Sequence, residues 1–352
     1  MTVNSKFSNA LIMWYLINQR DLPWRSSKNP YLIWLSEIIL QQTRIAQGTS
    51  YYEKFVNEFI DIFALAKADE KHILKLWQGL GYYSRARNLH ATAKIIVDKY
   101  QGQFPETYAE LISLKGVGDY TASAIASIAF DQPHAVVDGN VYRVLSRVFG
   151  ISTPINESKG IKEFKLLAQK LLHTEDPGTY NQALMEFGAL VCTPKNPKCD
   201  SCIFNDSCYA LQKRTIDKLP VKLKKLTVKK RYFNYLVVDD NGESTILKQR
   251  HQKDIWMNLF EFPLYETEQI LEDETELEHF IHRDLMIEGT YSIKKYNEFP
   301  ILHKLTHQTL YASFWIIKPK GRFKNPVAWE DLKQMALPVL LQNFVDKYQS
   351  LN

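Results

Sequence analysis

The four cysteines of this chain most constrain what it can fold into, because all of them fall within residues 192–208. Their spacing is Cys192-x6-Cys199-x2-Cys202-x5-Cys208. Clustered cysteines in a reducing compartment favour a metal site over disulfides. Zinc ribbons usually pair two Cys-x-x-Cys hooks, and only the middle pair has that spacing here. The pattern therefore favours one cubane iron–sulfur cluster, with structural zinc as the alternative that ligand type alone leaves open.

Composition indicates a globular protein of two or three domains, since the chain has 352 residues and 45% are hydrophobic. The net charge of +5 permits a polyanionic partner without demanding one. The sequence contains no run of eighteen apolar residues and no charged-then-apolar leader, so we expect no membrane span and a cytoplasmic location. No coiled-coil pattern is found, so we expect a monomer.

Two turn–helix units follow each other between residues 112 and 147. Gly116 and Gly118 precede a small apolar helix over 121–130, and we expect both glycines at positive φ. A glycine turn at a helix N-terminus suits a phosphate, although the same pattern fits a tight helix–helix turn. Asp138 precedes a helix over 141–149 and could act as its N-cap.

Glu37 stands in an apolar segment over 31–44, where a carboxyl has a raised pKa and can donate a proton near neutral pH. Its spacing to Gln41 and Arg44 predicts that the three residues share one helix face. The alternative is an ordinary solvated glutamate.

The composition changes after a basic segment over 212–231, which we interpret as an interdomain linker. Its charges either track phosphates or only solvate a tether. Residues 232–238 predict a strand, 239–242 a hairpin turn and 244–248 its partner strand. A further strand is predicted over 311–317, with helices over 274–283 and 337–348. The C-terminal part is therefore an α+β domain.

Several motifs together resemble the helix-hairpin-helix DNA glycosylases that carry an iron–sulfur cluster. They are Leu-x-Gly-Val-Gly-x-Tyr-Thr-Ala from Leu114, Val-Val-Asp-x-Asn-Val-x-Arg from Val136 and the cysteine spacing. Ser-Glu-x-x-Leu-Gln-Gln-Thr from Ser36 and Trp-Met-Asn-Leu-Phe-Glu-Phe-Pro from Trp256 are similar to the adenine DNA glycosylases within that superfamily. The resemblance implies an all-α core with one 4Fe-4S cluster and a C-terminal Nudix-like domain that reads 8-oxoguanine.

The resemblance implies these boundaries: a cluster domain over 1–27 and 135–211, a six-helix domain over 28–134, a linker over 212–231 and the Nudix-like domain over 232–352. It also implies roles for single residues. Catalytic roles fall on Glu37, Asp138, Tyr120 and Asn140. The adenine pocket is formed by Trp24, Arg25, Leu40 and Gln182. DNA contacts fall on Gln42, Thr43, Tyr82, Gly116, Gly118, Thr306 and His307, and cluster binding on Cys192, Cys199, Cys202 and Cys208.

The implied reaction is hydrolysis of the N-glycosidic bond of adenine opposite 8-oxoguanine or guanine in duplex DNA. Bifunctional relatives carry a Schiff-base lysine where this chain has Tyr120, so the resemblance implies a monofunctional enzyme. Two departures from the family pattern occur: Lys115 replaces a proline, and Leu305-Thr306-His307 replaces Phe-Ser-His. The alternatives are an endonuclease III-like enzyme acting on oxidised pyrimidines and a non-catalytic iron–sulfur DNA-binding regulator.

Overall fold

The computed structural model describes residues 3–223 and 228–351. The chain divides into a helical unit, 1–67 with 88–224, and a mixed unit, 68–87 with 225–352. The α-helices of the described residues are α1 Val3–Asn18, α2 Pro30–Leu40, α3 Ile45–Glu58, α4 Ile62–Lys67, α5 Glu70–Leu76, α6 Ser84–Tyr100, α7 Tyr108–Leu111, α8 Asp119–Phe130, α9 Gly139–Phe149, α10 Ser158–Leu171, α11 Pro177–Leu190, α12 Tyr209–Gln212, α13 Thr275–Phe280 and α14 Val339–Leu351. The strands are β1 Lys229–Val238, β2 Ser244–Thr245, β3 Lys248–Gln249, β4 Phe260–Glu261, β5 Leu264–Thr267, β6 Tyr291–Lys295, β7 Ile301–Lys304, β8 Gln308–Pro319 and β9 Val327–Ala328.

A core in the helical unit joins the first helix of the chain to helices more than 130 residues later. Leu11 of α1, Val144 of α9, Phe164 of α10 and Phe187 of α11 are buried in it. Burying such apolar side chains stabilises the unit by about 1.5–3 kcal/mol for each one. This core holds α9 and α11 together, and both helices carry candidate site residues.

The glycine turn before α8 confirms one of the two predicted positive φ angles. Gly116 has φ +79, and a Cβ added there would meet Asn88 Cβ at 2.7 Å, so only glycine fits. The prediction for Gly118 was wrong, because this residue has φ −92 and is the N-cap of α8. The turn therefore depends on Gly116 for its shape, and Gly118 leaves the helix N-terminus open.

The prediction that Glu37, Gln41 and Arg44 share one helix face was wrong. Helix α2 ends at Leu40, and Arg44 is the N-cap of α3. Gln42 lies between them with φ 55. Polar side chains over 41–43 compete for the backbone and favour a turn, as in the hydrogen bond from Thr43 Oγ1 to Gln41 O at 3.3 Å.

The mixed unit is built on a twisted sheet with strand order β5-β1-β8-β6, and β7 pairs with β8. Strands β1 and β8 are parallel, whereas β5, β6 and β7 pair antiparallel with their neighbours. Side chains of β1 alternate between two cores, with Phe233 and Tyr235 on the side of α14 and Leu236 on the side of α13. Phe344 of α14 stacks on Phe314 of β8 at 4.0 Å between centroids.

We predicted that residues 244–248 pair with β1 in a hairpin, and this pairing was wrong. The turn over 239–242 leads into only an isolated bridge between Asp240 and Ser244. Strand β2 pairs with β9, and β3 pairs with β4, while β1 takes β5 and β8. Central strands choose partners by long-range packing, which a local turn signal does not report.

The basic segment is shorter than the linker that we predicted. It begins after α12 and includes a 3-10 turn over Ile216–Lys218, and β1 already begins at Lys229. Residues 224–227 lie outside the described residues. The division of the helical half into two domains stays a prediction.

Candidate active site

Glu37 lies on the last turn of α2, partly exposed beside the buried Ile38 and Ile39. Burial and, to a smaller extent, the negative charge of Asp138 raise the pKa of this carboxyl to about 7. A hydrogen bond with Tyr120 and the charge of Arg25 act in the opposite direction. The carboxyl therefore exchanges its proton near neutral pH, as a general acid requires.

Asp138 is the N-cap of α9, as the sequence predicted. Its Oδ1 accepts from Val141 N at 2.8 Å, and its Oδ2 accepts from Asn140 Nδ2 at 2.7 Å. Burial raises the pKa of Asp138, and these hydrogen bonds and the charge of Arg143 lower it. The helix N-terminus thus fixes the direction in which this carboxylate points.

Tyr120 lies on the first turn of α8 and forms a group with the carboxyls of Glu37 and Asp138. Burial, together with the charges of Glu37 and Asp138, raises the pKa of its phenol well above its usual range. Its hydroxyl lies 3.5 Å from Met185 Sδ. The structure therefore brings Glu37, Tyr120 and Asp138 into one group, and Tyr120 remains a neutral hydrogen-bond donor within it.

Asn140 is held by Arg143, a residue that the sequence analysis did not single out. Arg143 Nη2 donates to Asn140 Oδ1 at 2.8 Å and to Gly188 O at 2.7 Å. Its Nε donates to Cys192 O at 2.6 Å. Arg143 thus ties the Asp138–Asn140 pair to the backbone of the first cluster cysteine. Its place one turn after Asn140 on α9 was the available signal.

The helical unit has an open cavity of about 590 Å³, and its lining includes Arg25, whose charge also acts on Glu37. Glu37, Tyr120 and Asp138 are not among the described residues that line it. Trp24, Arg25 and Gln182, three of the four residues predicted to form a base pocket, line this cavity together with Tyr15. Tyr15 Oη donates to Gln182 Oε1 at 3.2 Å. Leu40, the fourth predicted residue of the base pocket, is not among the described residues that line the cavity. Its side chain packs over Gly48 instead.

Glu186 is the main residue that sequence reasoning missed. It is 1% exposed and accepts hydrogen bonds from Arg20 and from Arg25, with Arg25 Nη2 at 2.9 Å and Arg20 Nη2 at 2.6 Å. Burial raises its pKa, but the two arginines hold the net value down at about 2. The side chain of Arg25 is thereby fixed at the cavity wall. Glu186 is the one charged residue in α11, and this was the signal that could have found it.

The four cysteines line one cavity together with Arg147 and Asn205. Arg147 Nη1 lies 3.5 Å from Cys192 Sγ, and Phe204 N lies 3.4 Å from Cys202 Sγ. Four thiols on one cavity, with a cation and a backbone N–H beside the sulfurs, fit the donor set of an iron–sulfur cluster.

The remaining predicted DNA-contacting residues lie in both units. In the helical unit, Gln42 is exposed, Thr43 is half-buried, and the glycine turn precedes α8. In the mixed unit, residues 305–307 form the turn between β7 and β8, and the side chains of Thr306 and His307 are exposed. The hydroxyls of Tyr82 and Thr306 form a hydrogen bond. The structure thus brings together two residues that the sequence places 224 positions apart.

Three family models match the chain. The model of the HhH-GPD superfamily base excision DNA repair proteins matches residues 35–170, that of the iron–sulfur binding domain of endonuclease III matches 192–208, and that of the NUDIX domain matches 234–347. Within the part of the chain that the structure describes, no helix is long and apolar enough to cross a membrane.

The chain is similar to proteins named adenine DNA glycosylase. It is 34% identical to that of Buchnera aphidicola subsp. Schizaphis graminum, over 97% of this chain and 99% of the relative. It is 43% identical to that of Mus musculus, over 59% of this chain and 42% of the relative.

Among solved structures, a thermostable thymine-DNA glycosylase is 30% identical with a TM-score of 0.56, covering 60% of this chain and 97% of that one. An endonuclease III–DNA complex is 22% identical with a TM-score of 0.52, covering 61% and 99%, and shows the shared fold. The matches to the family models and to the adenine DNA glycosylases agree on one family. The chain belongs to the adenine DNA glycosylase family, DNA-binding base excision repair enzymes that hydrolyse N-glycosyl bonds and carry a 4Fe-4S cluster.

Proposed function

We propose that this chain removes adenine mispaired with 8-oxoguanine or guanine from duplex DNA, as a monofunctional glycosylase. We propose further that it acts as a monomer on DNA in the cytoplasm. The observation that carries the proposal is a carboxyl with a pKa near 7, Glu37, grouped with a second carboxyl, Asp138, and a tyrosine. Two carboxyls in different environments divide the roles of acid and stabiliser in glycoside hydrolysis.

The reaction begins when adenine leaves the stack and binds beside Arg25, which lines a cavity with Trp24 and Gln182 and whose charge acts on Glu37. Glu37 gives its proton to N7 of the base. The C1′–N9 bond then breaks and its electron pair leaves with adenine. The Asp138 carboxylate stabilises the positive sugar that remains. Glu37, now ionised, takes a proton from the water whose oxygen bonds to C1′.

Tyr120 supports the monofunctional assignment. A lyase step needs an amine that forms an imine with C1′, and the side chain here is a neutral phenol with a raised pKa. The four cysteines would hold the 4Fe-4S cluster, which when bound would tie residues 192–208 into a loop whose Lys195 and Lys198 can contact DNA phosphates.

The Leu305-Thr306-His307 turn supports the opposite-base assignment. Its exposed hydroxyl and imidazole, together with the Tyr82 hydroxyl, offer hydrogen-bond partners to the edge of a purine. 8-Oxoguanine differs from guanine in an N7–H donor and a C8 carbonyl, so such groups can tell the two bases apart.

The test is single-turnover base release from a duplex with adenine opposite 8-oxoguanine, beside a duplex with an oxidised pyrimidine, each with and without borohydride. We expect adenine release without a trapped imine. Trapped imine, or release only from the pyrimidine duplex, would indicate an endonuclease III-like enzyme. Tight DNA binding with no release from either duplex would indicate a regulator. Asp138→Asn is the matched control, since it keeps the helix cap and removes the charge.

A further inference from the structure

A cavity of about 390 Å³ in the mixed unit has walls that suit a nucleobase. Aromatic rings come from Tyr82 and Trp256, and polar groups come from Thr306, His307 and Gln308. Flat apolar walls combined with a few polar groups are what small planar ligands bind, and aromatic side chains stack on bases of any sequence.

The turn over 305–307 supplies no aromatic wall to this cavity. Leu305, which stands where the family pattern has an aromatic residue, is half-buried and packs against the core beneath the sheet. Thr306 and His307 are the exposed members of the turn. The aromatic walls therefore come from other segments, Tyr82 before α6 and Trp256 before β4.

Trp256 is held in a backbone conformation that large side chains rarely adopt, with φ +60. The neighbouring backbone is fixed from several sides. Arg250 Nε donates to Ile255 O at 2.9 Å, and Arg87 Nη1 donates to Met257 O at 2.8 Å. Leu259 N donates to Trp256 O at 3.0 Å. Strain of this kind persists where the surroundings over-determine it, and it concentrates at functional sites.

Ion pairs hold the cavity wall on both sides of Trp256. Asp254 binds Arg231 at 2.8 Å and Arg250 at 2.6 Å. Arg231 Nη1 also donates to Gln308 Oε1 at 3.2 Å. Asp254 and Gln308 both line the cavity, so the same arginine ties two of its walls to the sheet. The indole is thus presented from a rigid frame, half-buried against Phe233 and His303 at 6.3 and 5.7 Å between centroids.

We propose that Trp256 determines opposite-base specificity in this chain. Its indole forms the flat wall against which an oxidised purine is held beside the hydroxyls of Tyr82 and Thr306. This inference rests on the proposed function, because it names how the chain reads the base opposite adenine.

The test uses the full chain with its cluster and measures single-turnover adenine release from duplexes with adenine opposite 8-oxoguanine and opposite guanine. The ratio of the two rates is the selectivity. We expect Trp256→Ala to lower this ratio at least fivefold through the 8-oxoguanine duplex, the lower end of what base stacking contributes. Trp256→Phe should restore most of it. Asn258→Gly is the matched control: Asn258 lies in the same segment at φ 68 and is not among the described residues that line the cavity.

Three outcomes overturn the inference. The first is an unchanged ratio in Trp256→Ala, and the second is an equal loss on both duplexes, which indicates a structural role. The third is a wild-type chain that releases adenine equally from both duplexes, which also refutes the proposed specificity. Thermal melting checks the fold of each variant. If the alanine variant is unfolded, Trp256→Gly serves for the same test, because glycine adopts φ +60 without steric cost.

Discussion

The raised pKa of Glu37 leads to a prediction that can be measured in two independent ways. The perturbation is Glu37→Gln, which keeps the shape of the side chain and removes its titration. With a pKa of about 7, half of the Glu37 carboxyls carry a proton at pH 7. A glutamate with the ordinary pKa of 4.5 would be about 0.3% protonated there, so the site gains roughly two orders of magnitude in acid form.

The first assay is the pH dependence of single-turnover adenine release. We expect the rate to fall about tenfold for each pH unit above pH 7 and to level off as the pH is lowered to about 6. Tyr120→Phe is the diagnostic variant. It removes a hydrogen bond that lowers the pKa of Glu37, so the midpoint of its residual profile should move upward.

The second assay is the free energy of unfolding as a function of pH. A carboxyl whose pKa is raised on folding stabilises the protein fully below its unfolded pKa, and this stability is lost as the pH rises through 7. The wild-type chain should therefore lose about 2–3 kcal/mol relative to Glu37→Gln between pH 5 and pH 8. Parallel stability curves for the two proteins, or a rate that rises with pH between 6 and 8, would refute the reasoning.

Three further predictions follow from single residues. Asp138→Asn should lower single-turnover release about 10²–10³-fold while changing the DNA dissociation constant less than about threefold, since asparagine caps a helix as well as aspartate does; a parallel loss of binding would contradict the catalytic role. Glu186→Gln should destabilise the helical unit by about 1–3 kcal/mol in denaturant at pH 7, because it weakens the pairing of Arg20 and Arg25, both partly exposed. That difference should shrink as the pH falls from 4.5 towards 2, because the Glu186 pKa is lowered to about 2; a constant difference would refute the ion-pair explanation. Cys199→Ser should abolish or weaken the visible absorption of the iron–sulfur cluster and reduce DNA affinity; full iron content in that variant would contradict its role as a ligand.

Local signals were reliable where the chemistry is local. Asp138 caps α9 because a short carboxylate before a helix accepts the first free N–H groups, whatever packs around it. Gly116 has a positive φ because the turn leaves no room for a side chain. The four cysteines line one cavity because short turns fold the segment back on itself, with Cys202 N donating to Cys199 O and Cys208 N donating to Phe204 O.

The errors arose where a distant partner decides the structure. The segment after β1 contains a good turn signal, yet β1 pairs with β8, some eighty residues later. Arg44 was assigned to the face of Glu37 because the periodicity continues through 41–43, where polar side chains instead end α2. The hydrophobic pattern of a helix or strand indicates which of its faces is apolar. It does not indicate which distant segment packs on that face.

The sequence by itself led to the family, the four clustered cysteines, the candidate carboxyls Glu37 and Asp138 and the turn at Gly116, because each depends on residue type and short spacing. The tertiary structure decided the electrostatic environment of Glu37, the pairing of Glu186 with Arg25, and the presentation of Trp256 beside Tyr82 and Thr306. A pKa and a cavity wall depend on what distant segments bring within a few ångströms. Such contacts depend on the packing of the whole unit, which no short stretch of sequence specifies.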